Sequence, residues 1–128
     1  MPTVDTSWLV ALFNTEDAHH KAALAQAREA SKVLVPGPAV VEFLQVVFYG
    51  VRRRDGEKHA HAAARQALRE LEALATVEVQ TGYDHRLAAR IYAEHRGLSY
   101  VDASVIAVAK RSGEELATFD AAQAKAAG

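Results

Sequence analysis

Apolar residues along this chain fall into two kinds of run. Short blocks, Thr3-Val4, Val33-Leu34-Val35, Thr76-Val77-Glu78-Val79 and Leu116-Ala117-Thr118, are too brief for helices and read as strands. Longer stretches between them repeat apolar positions every three or four residues. Trp8, Leu9, Leu12 and Phe13 have that spacing, as do Val40, Phe43, Leu44, Val47 and Phe48. Ala60, Ala64, Ala67, Leu71 and Leu74 form a third stripe, and Leu87, Ala88 and Ile91 a fourth. The stretch from Leu98 to Ala109 is apolar almost throughout. Short apolar strands alternating with helices predict an α/β protein, with a parallel sheet covered by helices on both faces.

Polar residues set the expected boundaries. Thr15-Glu16-Asp17 opens a second helix with acids at its positive end, running on through Ala18, Ala22, Ala25 and Ala30. Pro36-Gly37-Pro38 ends the second strand and lets Pro38 start a helix. Gly50 loosens the end of that helix, and Arg52-Arg53-Arg54-Asp55-Gly56 reads as a polar turn. Asp84 caps the next helix, which stops at Gly97. The tail from Ala121 to Gly128 is alanine-rich and carries no further strand.

Composition narrows the class. The 128 residues, half of them hydrophobic, suit one domain over 1–128 with one packed core. No cysteine is present, which excludes a disulfide framework and a thiolate metal site. No export signal and no membrane-length apolar run is found, so a cytoplasmic protein without a membrane partner is expected. The net charge is -1, so any nucleic-acid surface must be local. Arg52, Arg53 and Arg54 are the densest basic patch. They suit either a helix end, complementing its dipole, or contact with RNA phosphates. The six histidines do not fall at ligand spacing on any predicted helix.

Four carboxylates break the apolar pattern. Asp5 closes the first strand, and Asp120 follows the last. Glu42 is the only charged residue from Pro38 to Val51, and Asp102 lies in the first turn of the most apolar helix. A buried carboxylate is costly unless something positive meets it. In a parallel sheet the strand ends and the helix starts share one edge, so all four can converge there. Carboxylates so crowded raise one another's pKa, and a hard divalent cation resolves the conflict. The chemistry this implies is metal-dependent phosphodiester hydrolysis.

Val4-Asp5-Thr6-Ser7, Val41-Glu42-Phe43-Leu44, Ser99-Tyr100-Val101-Asp102-Ala103-Ser104 and Leu116-Ala117-Thr118-Phe119-Asp120, in that order, resemble the PIN-domain nucleases. Size and motif order are most similar to the VapC-type toxins of toxin–antitoxin pairs. The resemblance implies a three-layer α/β/α sandwich, with about four strands and six or seven helices. It implies an Mg²⁺- or Mn²⁺-dependent endoribonuclease, with Asp5, Glu42, Asp102 and Asp120 as catalytic and metal-binding residues. Thr6 and Thr118 would be supporting hydroxyls. The partners it implies are an RNA substrate, a cognate antitoxin and a second copy of the chain. Family members often carry a further strand after the last aspartate, which the short tail here does not provide.

Each acid also has an ordinary structural role open to it. Ser99 and Asp102 have capping-box spacing, Asp5 can cap the first helix, and Asp120 can sit in a turn. Two other functions compete. One is a non-catalytic PIN-like module that holds a metal or a basic peptide on its acidic rim. The other is a phospho-acceptor domain, disfavoured because no lysine follows Asp120 until Lys125.

Overall fold

In the computed structural model, which describes residues 1–128, each apolar block forms a strand. β1 (Thr3–Val4) is followed by α1 (Thr6–Phe13) and α2 (His20–Ala30). β2 (Val33–Pro36) runs directly into α3 (Gly37–Asp55), and α4 (Glu57–Ala73) comes next. β3 (Val77–Gln80) precedes α5 (His85–Glu94) and α6 (Tyr100–Ser112). β4 (Leu116–Ala117) precedes α7 (Ala121–Ala127), and the sheet has no fifth strand.

All pairings are parallel, in the order β3-β2-β1-β4. The chain builds outward from β1 to β3, then returns to lay β4 on the other side of β1. The order reverses between β1 and β4, and such a switch point opens a crevice at the carboxyl ends of the strands. Register decides what meets there. Val4 pairs with Ala117, so Asp5 and Thr118 leave the sheet side by side. Thr3 also pairs with Leu34, and β2 then gives way to α3, whose second turn carries Glu42.

Helices cover both faces, giving the three-layer α/β/α sandwich of a PIN-like fold. One core cluster gathers Val4, Val33 and Val35 with Trp8 and Leu9 of α1, Phe43 of α3 and Leu71 of α4. The other joins Ile91 of α5 to Ile106 of α6, with Ala126 and Ala127 of α7 packed against it. Every residue from Ala103 to Ala109 is buried, which accounts for the nearly all-apolar run of α6, where the one polar residue, Ser104, donates its hydroxyl to the Val101 carbonyl. Burying a large apolar side chain of this kind contributes about 1.5–3 kcal/mol. No helix is long and apolar enough to cross a membrane.

Three boundaries differ from the sequence reading. The second helix starts at His20, not at Thr15. Asn14 and Asp17 instead accept the backbone N–H of Glu16 and His19, closing Asx turns that compete with helix. Arg52-Arg53-Arg54 is not a turn. α3 passes through Gly50 and ends only at Gly56, whose φ of 90° suits glycine. The fifth helix stops at Glu94, before Gly97.

Candidate active site

Asp5 is the centre of the rim. It is 2% exposed and caps α1, its Oδ1 accepting from the Trp8 backbone N–H at 3.0 Å and the Ser7 hydroxyl at 2.8 Å. Its Oδ2 accepts from the Thr118 hydroxyl. Both hydroxyls also accept a backbone N–H, Ser7 from Phe119 at 3.0 Å and Thr118 from Asp120 at 3.0 Å. Each hydroxyl proton is therefore directed at Asp5. The network stitches the ends of β1 and β4 together and fixes the carboxyl in place.

The other acids arrive from separate helices. Ser99 and Asp102 form a capping box at the start of α6: the Asp102 N–H donates to the Ser99 hydroxyl, and Asp102 Oδ2 accepts the Ser99 N–H at 3.1 Å. Asp120 caps α7, its Oδ1 accepting the Gln123 N–H at 2.9 Å. Asp102 and Asp120 each keep one oxygen outside these caps. Gln123, 1% exposed, reaches from α7 to the Asp102 carbonyl and holds the two helix starts together. Glu42 is half-buried on α3. Asp5, Glu42, Asp102 and Asp120 all line one cavity of about 370 Å³. A cap and a rim position are thus the same position here, because α1, α6 and α7 all begin at that edge.

Residues 3–128 match the family described as PIN domain. The chain belongs to that family. No curated protein sequence gives a significant match. Among solved structures, the chain is similar to VapC20 of Mycobacterium tuberculosis, described as a sarcin–ricin loop cleaving toxin. The two share 27% identity and a TM-score of 0.70, over 98% of this chain and 95% of that one. It also shares its fold with PAE2754 from Pyrobaculum aerophilum, at 24% identity and a TM-score of 0.67, over 97% of this chain and 84% of that one.

The cavity of this PIN domain is strongly acidic. Asp17 adds a fifth carboxylate, and no lysine or arginine lines the wall. Partial compensation comes from the positive ends of the helices that Asp5 and Asp120 cap and Asp102 opens. It is incomplete. Burial pushes the Asp5 carboxyl above the usual carboxylate range and the charge of Asp102 adds to this, while the bonds from Thr118, Trp8 and Ser7 pull it back only in part.

Ionising Asp5 therefore opposes folding. The stability linked to its raised pKa is fully present below the ordinary aspartate range and is lost as pH rises through the folded value. In EDTA, wild type should lose melting temperature relative to Asp5→Asn as pH rises from that range towards neutrality. A difference that stays constant in differential scanning fluorimetry would contradict this.

A divalent cation is the charge this wall lacks, and an all-carboxylate donor set suits Mg²⁺ or Mn²⁺. No three of the acidic or histidine side chains are grouped closely enough to cage an ion by themselves. The set fits an ion that keeps several of its own waters, as Mg²⁺ does.

Some residues singled out in the sequence lie elsewhere. Thr6 lines the cavity, but its buried hydroxyl has no hydrogen-bond partner, and Ser7 makes the contact to Asp5 in its place. Their order alone does not separate them, since both follow the aspartate. Arg52, Arg53 and Arg54 close α3 and are absent from the cavity wall. Arg53 and Arg54 line a separate groove with Phe13, Val47 and Val51. Asp17, His19, Phe119 and Gln123 also line the cavity, though the sequence reading gave none of them a role there. Only Asp17 and His19 left a signal, as polar residues in a segment misread as helix.

Proposed function

We propose that this PIN domain is a metal-dependent endoribonuclease and the toxin of a toxin–antitoxin pair. The observation that carries the reading is the meeting of Asp5, Glu42, Asp102 and Asp120, from four separate places in the chain, on one cavity without a cationic wall residue. Likeness to a solved toxin that cleaves the sarcin–ricin loop favours RNA as the substrate class.

Asp5, Glu42, Asp102 and Asp120 would hold Mg²⁺ or Mn²⁺. Bound there, the ion supplies an activated water and offsets the charge that builds on the phosphate. The protein's own part is positional. Ser7 and Thr118 hold the Asp5 carboxyl, Ser99 holds Asp102, and Gln123 ties Asp120 to the start of α6. Such fixed groups need little reorganisation as charge develops.

The same reading places the protein in the cytoplasm with its RNA, as a homodimer held inactive by an antitoxin. Val41 and Tyr49 of α3 are 59% and 52% exposed, apolar surface that a second copy would cover. An antitoxin arginine would pair with the free carboxylates. The acidic wall without a cation also suits one alternative, a non-catalytic module that holds a metal or a basic peptide.

Mn²⁺ titration separates these readings from a purely structural rim. Metal at a hundred times its Kd should stabilise the fold by about 2.7 kcal/mol. An Asp5→Asn, Asp102→Asn double variant should lose the response. An unchanged shift in that variant would place the ion elsewhere.

A further inference from the structure

His19 stands apart from every other residue of the cavity wall. An RNA strand brings phosphates to this wall, and phosphates need hydrogen-bond donors. Most donors there are already committed. The Ser7 hydroxyl serves Asp5, the Thr6 hydroxyl is buried, and Gln123 is enclosed and turned to the Asp102 carbonyl. With no lysine or arginine lining the cavity, His19 is left.

Its setting is built. The imidazole lies flat on the Phe119 ring, 4.4 Å between centroids and 6° from parallel. Phe119 is fixed in turn by its N–H bond to Ser7, inside the Asp5 network. The His19 backbone N–H is held by Asp17 Oδ1 at 2.8 Å, which sets the turn before α2. The ring is thus fixed on one face and in its backbone, while the residue stays exposed and its ring nitrogens make no bond within the protein. His20, by contrast, has Nδ1 against the Ala11 carbonyl at 2.8 Å and is occupied structurally.

We propose that His19 is a substrate-contacting residue, its imidazole N–H donating to an RNA phosphate oxygen while Phe119 holds the ring in position. The proposal rests on the endoribonuclease reading and assigns RNA binding at that site to a residue outside the four acids. Phe119 is a positioning residue in the same arrangement.

Two variants separate the hydrogen bond from the stack. His19→Phe keeps a flat ring against Phe119 and loses the donor. His19→Gln keeps a donor and loses the ring. Affinity is read from the anisotropy of a fluorescein-labelled, mixed-sequence single-stranded RNA in EDTA, with circular dichroism confirming the fold. His19→Phe should weaken binding by roughly tenfold or more, as expected for losing a hydrogen bond to a charged group, and His19→Gln should stay within about threefold of wild type. Single-turnover cleavage with Mn²⁺ should show the same split in the protein concentration giving half-maximal rate, with a smaller effect on the maximal rate. Wild-type behaviour in His19→Phe would overturn the proposal, as would equal loss in both variants, which would mark a packing role. If the unsubstituted protein binds no RNA, the proposal also falls. The endoribonuclease reading falls separately, only if the unsubstituted protein fails to cleave RNA with metal present.

Discussion

Asp5→Asn and Asp102→Asn should each lose RNA cleavage by roughly a hundredfold or more, the scale of removing a major electrostatic group. Neither should unfold the protein. Asparagine is as good an N-cap as aspartate, so at position 5 it can still accept from the Trp8 N–H and the Ser7 hydroxyl. Its amide would face Thr118 Oγ1, which can accept and pass its own proton to Ser7, 3.3 Å away. Shape and bonding survive while a ligand charge is lost, so metal affinity and rate should fall together. Glu42→Gln and Asp120→Asn should also lose rate. Glu70→Gln, on the exposed face of α4 and bonded only to Gln66, should leave activity unchanged.

Phe43→Ala should destabilise the fold by about 3–5 kcal/mol, a large part of the roughly 5–15 kcal/mol that a domain of this kind has to lose. Phe43 is 1% exposed and belongs to the larger core cluster, its ring 5.2 Å from that of Phe13. It also seats α3, which carries Glu42 at the adjacent position. Urea denaturation followed by circular dichroism gives the free energy directly. A loss below about 1 kcal/mol would mean that α3 is held by something other than this contact. Phe48→Ala, on a half-buried part of the same helix, should cost less.

The fold was legible because its strands are short and its helical stripes regular. Val33-Leu34-Val35 cannot be a helix, and buried Phe43 and Leu71 lie on the faces their spacing marks. The acids were legible for a different reason. Each is a charge in an apolar setting, which is unfavourable without a partner. What escaped reading depends on local competition between backbone and side chain. Asn14 and Asp17 capture nearby N–H groups and delay α2, and nothing in the alanine pattern that follows reveals it. That delay is what leaves Asp17 and His19 on the cavity wall. The choice of Ser7 over Thr6 as the partner of Asp5 depends on the direction in which α1 leaves the sheet, which spacing does not encode. The Arg52-Arg53-Arg54 run looked like a turn because it is polar, yet arginine is a good helix former and α3 continues through it.

The central claim is that the four carboxylates hold a metal that cleaves RNA. Its most direct test is single-turnover cleavage of total RNA by the purified protein, free of any antitoxin, across a Mn²⁺ titration begun in EDTA. The account predicts no cleavage in EDTA and a rate that rises to saturation with Mn²⁺, with Asp5→Asn and Asp102→Asn far below wild type throughout. Cleavage that persists in EDTA, or wild-type rates in both variants at limiting and saturating metal, would contradict it.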